Sequence, residues 1–274
     1  MALTGSRAIA QTHFEAQPHE INEETALRLK AGAEAASDDS DGRGRRAFFS
    51  AGKLKRGNAA GGQSRKLKWG GARNSKGRSS SSLTARQVLS IQSAISHSLL
   101  IGCPLNRHIT LQFGVMGLGD GQAMDALSAY LKQARDWTSN QGGQTACVWV
   151  RELSSAGAHA HVLVHVPPAL ERMYLVKHRY WLMNACKRPY AKGAVCTRKI
   201  YGWESARRGQ VETYLVNLKN VTAYLVKGAN ADAVNALNLN RKKPGGTIIG
   251  KRCGFSQNLG PGARHLSRRA RHVE

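Results

Sequence analysis

The residues best suited to chemistry lie in two short stretches. The first is Gly157-Ala158-His159-Ala160-His161-Val162-Leu163-Val164-His165-Val166. On a strand, side chains alternate between faces, so His159, His161, Leu163 and His165 share one face and Ala160, Val162, Val164 and Val166 the other. Two imidazoles at i and i+2 on a rigid strand can present two nitrogens to one divalent metal, a common use of neutral histidine. The plainer alternative is partly buried, hydrogen-bonded rings. His165 stands roughly 13 Å along the strand from His161, too far to share that metal on a straight strand. Glu152 ends the preceding strand across a hairpin. It is either a solvated strand-end acid or a third ligand, and its oxygens would suit Mg2+ or Mn2+. The second stretch is Tyr224-Leu225-Val226-Lys227. Tyr224 and Lys227 are neighbours on one helix face. A phenol, with an ordinary pKa near 10, is a poor nucleophile unless a metal polarises its target or a cation lies close by. A core tyrosine beside a surface lysine is the ordinary alternative.

These residues need elements to position them, and hydrophobic periodicity supplies a series. Thr84 caps a predicted helix running to about Leu100, with Val88, Leu89, Ile91, Ile95 and Leu99 as its apolar stripe. His108 to Phe113 alternates as a half-buried strand. A helix from about Gln122 to Trp137 follows, then strands from Thr145 to Glu152 and from Ala158 to Val166 around the turn Ser154-Ser155-Ala156-Gly157. Pro167-Pro168 ends the second strand. A helix to about Ala185, a strand from Val195 to Tyr201 and a helix from Val211 to Lys227 complete the series. The order implies an α+β fold: a four-stranded antiparallel sheet, RRM-like, with helices packed on one face and the histidine face open.

Charge sets the organisation around that core. The 274 residues carry a formal charge of +24, which bears on partners rather than fold and points to a polyanion. No apolar stretch has the length of a spanning helix and no secretory signal is evident, so the expectation is a cytoplasmic, nucleic-acid-facing protein without a membrane partner. Residues 1–41 are acidic overall. From 42 to 86 the chain carries Lys and Arg, Gly and Ser, and no acid. Such a stretch buries too little apolar surface to offset the entropy of ordering. A short helix is predicted within 20–36. The segmentation is therefore 1–82 as a disordered region, 83–230 as the folded domain and 231–274 as a second basic tail. The arms are either linkers or phosphate contacts. The five cysteines form no CxxC pair and are expected to be reduced thiols.

Three motifs in order resemble the HUH endonuclease superfamily, in particular the single-tyrosine rolling-circle replication initiators (Rep proteins) of plasmids and phages. His108-Ile-Thr-Leu-Gln-Phe113 resembles the first motif, His159-Ala160-His161-Val162-Leu163 the metal-binding histidine motif, and Tyr224-Leu-Val-Lys227 the tyrosine motif. The match spans about Arg107 to Gly228. Ala160 is smaller than the family's usual central residue. Asn220 and Gly228 stand where a second tyrosine would, and Tyr214 is turned by about 80° on the helix, which places the chain with the one-tyrosine members. No Walker motif for a fused helicase is present. The run HAHVLVH also resembles histidine-triad nucleotide hydrolases superficially, but Leu163 occupies their third histidine position.

The resemblance implies metal-dependent nicking and joining of single-stranded DNA at a replication origin through a 5′-phosphotyrosine bond. His159, His161 and Glu152 would hold Mg2+ or Mn2+, Tyr224 would attack, and Lys227 would stabilise phosphate charge. Thr110 and Gln112 would line the DNA groove, with Trp149, Trp181 and Trp203 as stacking platforms or core, and host replication proteins as further partners. The rival readings are a non-catalytic DNA- or RNA-binding protein on the same sheet, or a transposase or relaxase using the same chemistry.

Overall fold

The computed structural model describes residues 77–239 and 245–271. The acidic stretch, the helix predicted within 20–36 and most of the first basic arm lie outside these residues. The described fold is α+β. Helix α1 (Ala85–Leu100) starts at a capping box: Thr84 Oγ1 accepts from the Gln87 amide at 3.3 Å, and Gln87 Oε1 accepts from the Thr84 amide at 2.9 Å. Two of the amide donors that a helix start leaves unpaired are thereby satisfied. Its buried stripe is Val88, Ile91, Ala94 and Ile95.

After the two-residue strand β1 (Ser79–Ser80) and α1 come β2 (Arg107–Gln112), α2 (Asp120–Asn140), β3 (Cys147–Ser154), β4 (Gly157–Val164), α3 (Glu171–Cys186) and β5 (Val195–Lys199). Short α4 (Trp203–Ala206), α5 (Glu212–Leu225), α6 (Ala231–Leu237), β6 (Ile248–Ile249), β7 (Cys253–Phe255) and α7 (Pro261–Arg271) complete the order. The main sheet is antiparallel with strand order β5-β2-β4-β3-β7.

Three expectations are corrected. The sheet has five strands rather than four, because β7 pairs with the outer edge of β3. Three residues are too few for alternation to show, and their neighbours Lys251 and Arg252 read as part of a charged tail. The described residues beyond 230 are accordingly folded onto the core rather than forming a free arm. β6 pairs with β1 and β7 with β3, so the boundaries at 82 and 230 cut through contacts. Lastly, helices cover both faces of the sheet. Ile109, Leu111, Trp149, Ala160 and Val162 pack with α2 and α3. Val148, Val150 and Leu163, on the histidine face, pack with α1 and α5. Leu163 and its neighbours on β3 present apolar surface that must leave water. The helices therefore cover that end of the face, and only the end bearing His159, His161 and Glu152 remains a cleft. Among the described residues no helix is long and apolar enough to cross a membrane.

Candidate metal centre and tyrosine cleft

Sheet register brings the candidate ligands together. Glu152 lies opposite His159, and His159 opposite Gln112. One step along, Val150, His161 and Thr110 form the next row. The β3–β4 hairpin closes on Gly157, whose φ of +93° belongs to the left-handed region that favours glycine. A Cβ there would stand 2.8 Å from the Gly114 Cα, so the end of β2 packs directly on the hairpin.

The rings are aimed by their second nitrogens. His159 Nδ1 faces the Gly157 carbonyl at 3.2 Å, and a carbonyl only accepts, so Nδ1 carries the proton. In the neutral ring the Nε2 lone pair then points into the cleft. His161 Nδ1 lies 3.1 Å from Thr110 Oγ1 and 3.3 Å from His108 Nε2, while its Nε2 accepts from the Lys227 ammonium at 3.3 Å. Its lone pair also turns inward. At His159 one ring nitrogen is thus held by a protein group and the other is left for a ligand, the pattern that orients metal-bound histidines generally, whereas at His161 the Lys227 ammonium meets the inward nitrogen.

Glu152 Oε2 lies 3.4 Å from His159 Nε2 and 3.6 Å from His161 Nε2. One ligand atom from each residue falls within 4.8 Å of the others. All three are buried. With neutral rings, acceptors face acceptors, and the cation already among them is the Lys227 ammonium, 2.8 Å from Glu152 Oε2 and 3.3 Å from His161 Nε2, beside which a metal would have to bind. Glu152 Oε1 is also buried without a hydrogen-bond partner. The donor set, two imidazoles and a carboxylate with a spare oxygen, therefore fits a divalent ion; which ion is not fixed by it.

Burial pushes the Glu152 carboxyl up, but donation from His159 and His161, which only a protonated Nε2 can give, and the Lys227 ammonium outweigh it and hold the group well below the usual carboxylate range. Burial lowers the His161 ring, Glu152 opposes this and the Lys227 charge adds to it, with a net shift downward. His108, buried and facing the charges of His161, Lys227 and Arg198, is lowered to about 4. The latter two rings thus favour the neutral form that can accept from a cation.

Tyr224 stands in the last turn of α5 with its hydroxyl 3.5 Å from His161 Nε2. Its ring meets that of His161 edge-on, and the residue is 41% exposed and lines the cleft. Lys227 Nζ lies 3.8 Å from the Tyr224 ring centroid. Around them opens a cleft of about 840 Å³, bounded by Gln112, Ser155, Arg198, Asn220 and Gly245 among others.

Of the residues singled out by sequence, Glu152, His159, His161, Tyr224 and Lys227 converge here. Lys227 is buried, and its ammonium pairs with Glu152 Oε2 at 2.8 Å. Thr110 and Gln112 both line the cleft, yet the Thr110 hydroxyl is engaged with His161, while Gln112 Oε1 is buried without a partner. His165 is separate, its Nδ1 donating to the Pro104 carbonyl at 2.8 Å. Tyr214 is core, with its hydroxyl bonded to the Leu105 carbonyl. Trp149, Trp181 and Trp203 are also buried in the core, and none of them lines the Tyr224 cleft.

Two cleft residues were missed, His108 and Arg198. His108 was legible in principle, since alternation along β2 puts it on the face of Thr110 and Gln112. Arg198, in an edge strand without marked alternation, carried no such signal. Comparison with protein-family models, with curated proteins and with solved structures gave no match.

Proposed function

We propose that the chain is a metal-dependent single-tyrosine endonuclease that nicks and rejoins single-stranded DNA, as rolling-circle replication initiators do. The observation that carries this reading is the hydroxyl of the partly exposed Tyr224, 3.5 Å from a ring nitrogen of the proposed metal centre. A nucleophile placed against a Lewis-acid site, in a cleft with room for a strand, is the arrangement that phosphoryl transfer to a protein side chain requires.

His159, His161 and Glu152 would hold Mg2+ or Mn2+. When bound, such an ion polarises the scissile phosphate and orients it for attack. The chain's own residues do the rest. The Tyr224 oxygen forms a bond to phosphorus as the bond to the 3′-oxygen breaks. The phenolic proton leaves to solvent and the 3′-oxygen takes one up. The phosphodiester energy is kept in the phosphotyrosine, so the reverse step rejoins the strand. Thr110 and His108 hold the His161 ring, and Lys227 holds Glu152, so that the ligand side chains are oriented before substrate arrives.

The test is incubation of the full chain with a labelled, randomised pool of single-stranded DNA and Mn2+, followed by denaturing electrophoresis. A covalent adduct that needs both Mn2+ and Tyr224 is expected. Binding without any adduct across the pool would sink the nicking reading and leave a non-catalytic DNA-binding protein.

A further inference from the structure

Lys227 and Arg198 are the two cations, Lys or Arg, among the described residues lining the cleft. They are not equivalent. Lys227 is buried and committed, with its ammonium on Glu152 Oε2 at 2.8 Å and His161 Nε2 at 3.3 Å. A phosphate taking that ammonium would strip a buried carboxylate of its partner, which costs several kcal/mol. Arg198 is exposed, and none of the ion pairs among the described residues involves it.

We infer that Arg198 is the phosphate-binding residue of the cleft, and that it takes a phosphate flanking the scissile one. The inference rests on the nicking reading for which phosphate is cut. Register sets the distance. Arg198 pairs with His108, two strands across from the β4 histidines and two residues along from the row of His161, Thr110 and Cys196. That separates the Cα atoms of Arg198 and His161 by about 12 Å. The phosphate beside the Tyr224 hydroxyl is the one the metal ligands and the nucleophile would engage, so the guanidinium is assigned the next one of a strand laid from Tyr224 across β2 to the edge at β5. The planar fork of arginine suits two phosphate oxygens at once, which a lysine does not match. In this arrangement Lys227 tunes the ligands and Arg198 receives the backbone, a division of roles opposite to the one the tyrosine motif suggests.

The experiment measures binding apart from cleavage, by fluorescence anisotropy of a single-stranded oligonucleotide on full-length Tyr224→Phe protein and on the same protein with Arg198→Ala or Arg198→Lys. Arg198→Ala should weaken binding roughly ten- to a hundred-fold and flatten the log–log salt slope by about 0.7, the contribution of one phosphate contact on a single strand. Arg198→Lys should restore the slope but only part of the affinity. A series of oligonucleotides with one neutral methylphosphonate each should show one sensitive position next to the cleavage site, and Arg198→Ala should abolish that sensitivity alone. An unchanged slope and an unchanged methylphosphonate pattern in Arg198→Ala would overturn the assignment even if adducts form. Loss of one phosphate contact in Arg198→Ala with no adduct from the parent chain would instead retain Arg198 as a phosphate ligand and remove the nicking reading.

Discussion

The Lys227 ammonium meets the Glu152 carboxylate at 2.8 Å on the floor of the cleft, and both side chains are nine-tenths or more buried. The pair ties the turn after α5, which carries Tyr224, to the end of β3, which carries the acid. The proposed nucleophile and the proposed carboxylate ligand are therefore tied by one contact, and the same lysine would compete with a metal for the same oxygen.

From that competition comes the first prediction. Lys227→Met leaves a buried carboxylate without its cation and should lower stability without metal by about 3–5 kcal/mol. It also removes a like charge from the metal's surroundings, so Mn2+ should bind more tightly. In thermal melts the variant should start lower than the parent and gain more on adding Mn2+. A smaller gain than in the parent would mean that the ion does not bind at Glu152.

Tyr224→Phe should abolish the covalent adduct while leaving affinity for single-stranded DNA nearly unchanged. The phenolic oxygen contributes the bond to phosphorus and no charge to binding, and its ring is retained. An adduct persisting in this variant would place the nucleophile elsewhere. Tyr214 is a poor alternative because it is fully buried and bonded to Leu105.

His159 and His161 were expected on an open face, where replacement would cost little. They are buried, and His161 contacts Thr110, His108 and Lys227. Each alanine variant should therefore lose about 1–3 kcal/mol from unpaired neighbours and should lose the Mn2+-dependent rise in melting temperature. A single variant that keeps the full rise would exclude that ring as a ligand.

The difference between these two expectations marks what the residue pattern can convey. Period-two alternation in β4 put His159 and His161 on one face because backbone geometry alone enforces it, and the capping box at Thr84 and Gln87 is equally local. Whether that face is covered depends on Leu163, Val148 and Val150 finding partners in α1 and α5, which are distant in sequence. The role of Lys227 is hidden for the same reason, since its spacing from Tyr224 shows a shared helix face but not the acid on β3 that captures it. β7 was invisible because three residues have no readable period and because Arg252, although charged, is buried at 2% exposure among backbone carbonyls.

Stability should also fall on mild acidification. His178 is lowered to about 4 by burial and by the charges of Arg179 and Arg107, and His108 is lowered to about 4 as well. In the unfolded chain both titrate near 6.5. Between these values the unfolded state binds protons that the folded state refuses, so stability is full above about pH 6.5 and is lost as pH falls toward 4. Each ring contributes at most about 3 kcal/mol at the acid end. Urea midpoints at pH 7.5 and pH 5 should differ in that direction, and His178→Gln should reduce the difference. A midpoint independent of pH over this range would refute the buried, neutral assignment.

The last prediction concerns the segment from Gly245 to Arg271, which its charge marks as a tail and its contacts mark as part of the core. The Arg151 guanidinium donates to the Ile249 carbonyl at 3.0 Å and the Lys251 carbonyl at 3.2 Å, and also pairs with Asp120. Arg252 donates to Ser80, Gly245 and Gly246 carbonyls, and Arg264 reaches the Ser90 carbonyl at 2.7 Å. On β3 the amides of Arg151 and Leu153, flanking Glu152, donate to the Arg252 and Gly245 carbonyls at 2.7 and 2.8 Å. Ending the chain after residue 239 would leave Arg151, only 1% exposed, without two of its acceptors, and would leave the Glu152 strand with an open edge. Several groups at about 1–3 kcal/mol each would approach the whole stability of a domain. The truncated chain should therefore melt at much lower temperature or fail to fold cooperatively, and any folded fraction should bind Mn2+ weakly because Glu152 has lost its backing. Hydrogen exchange gives the direct measurement: the Arg151 and Leu153 amides should be protected in the full chain and exchange freely after truncation. Retained protection and an unchanged melting temperature would show that the segment is an appendage, with the β3 edge held by other contacts.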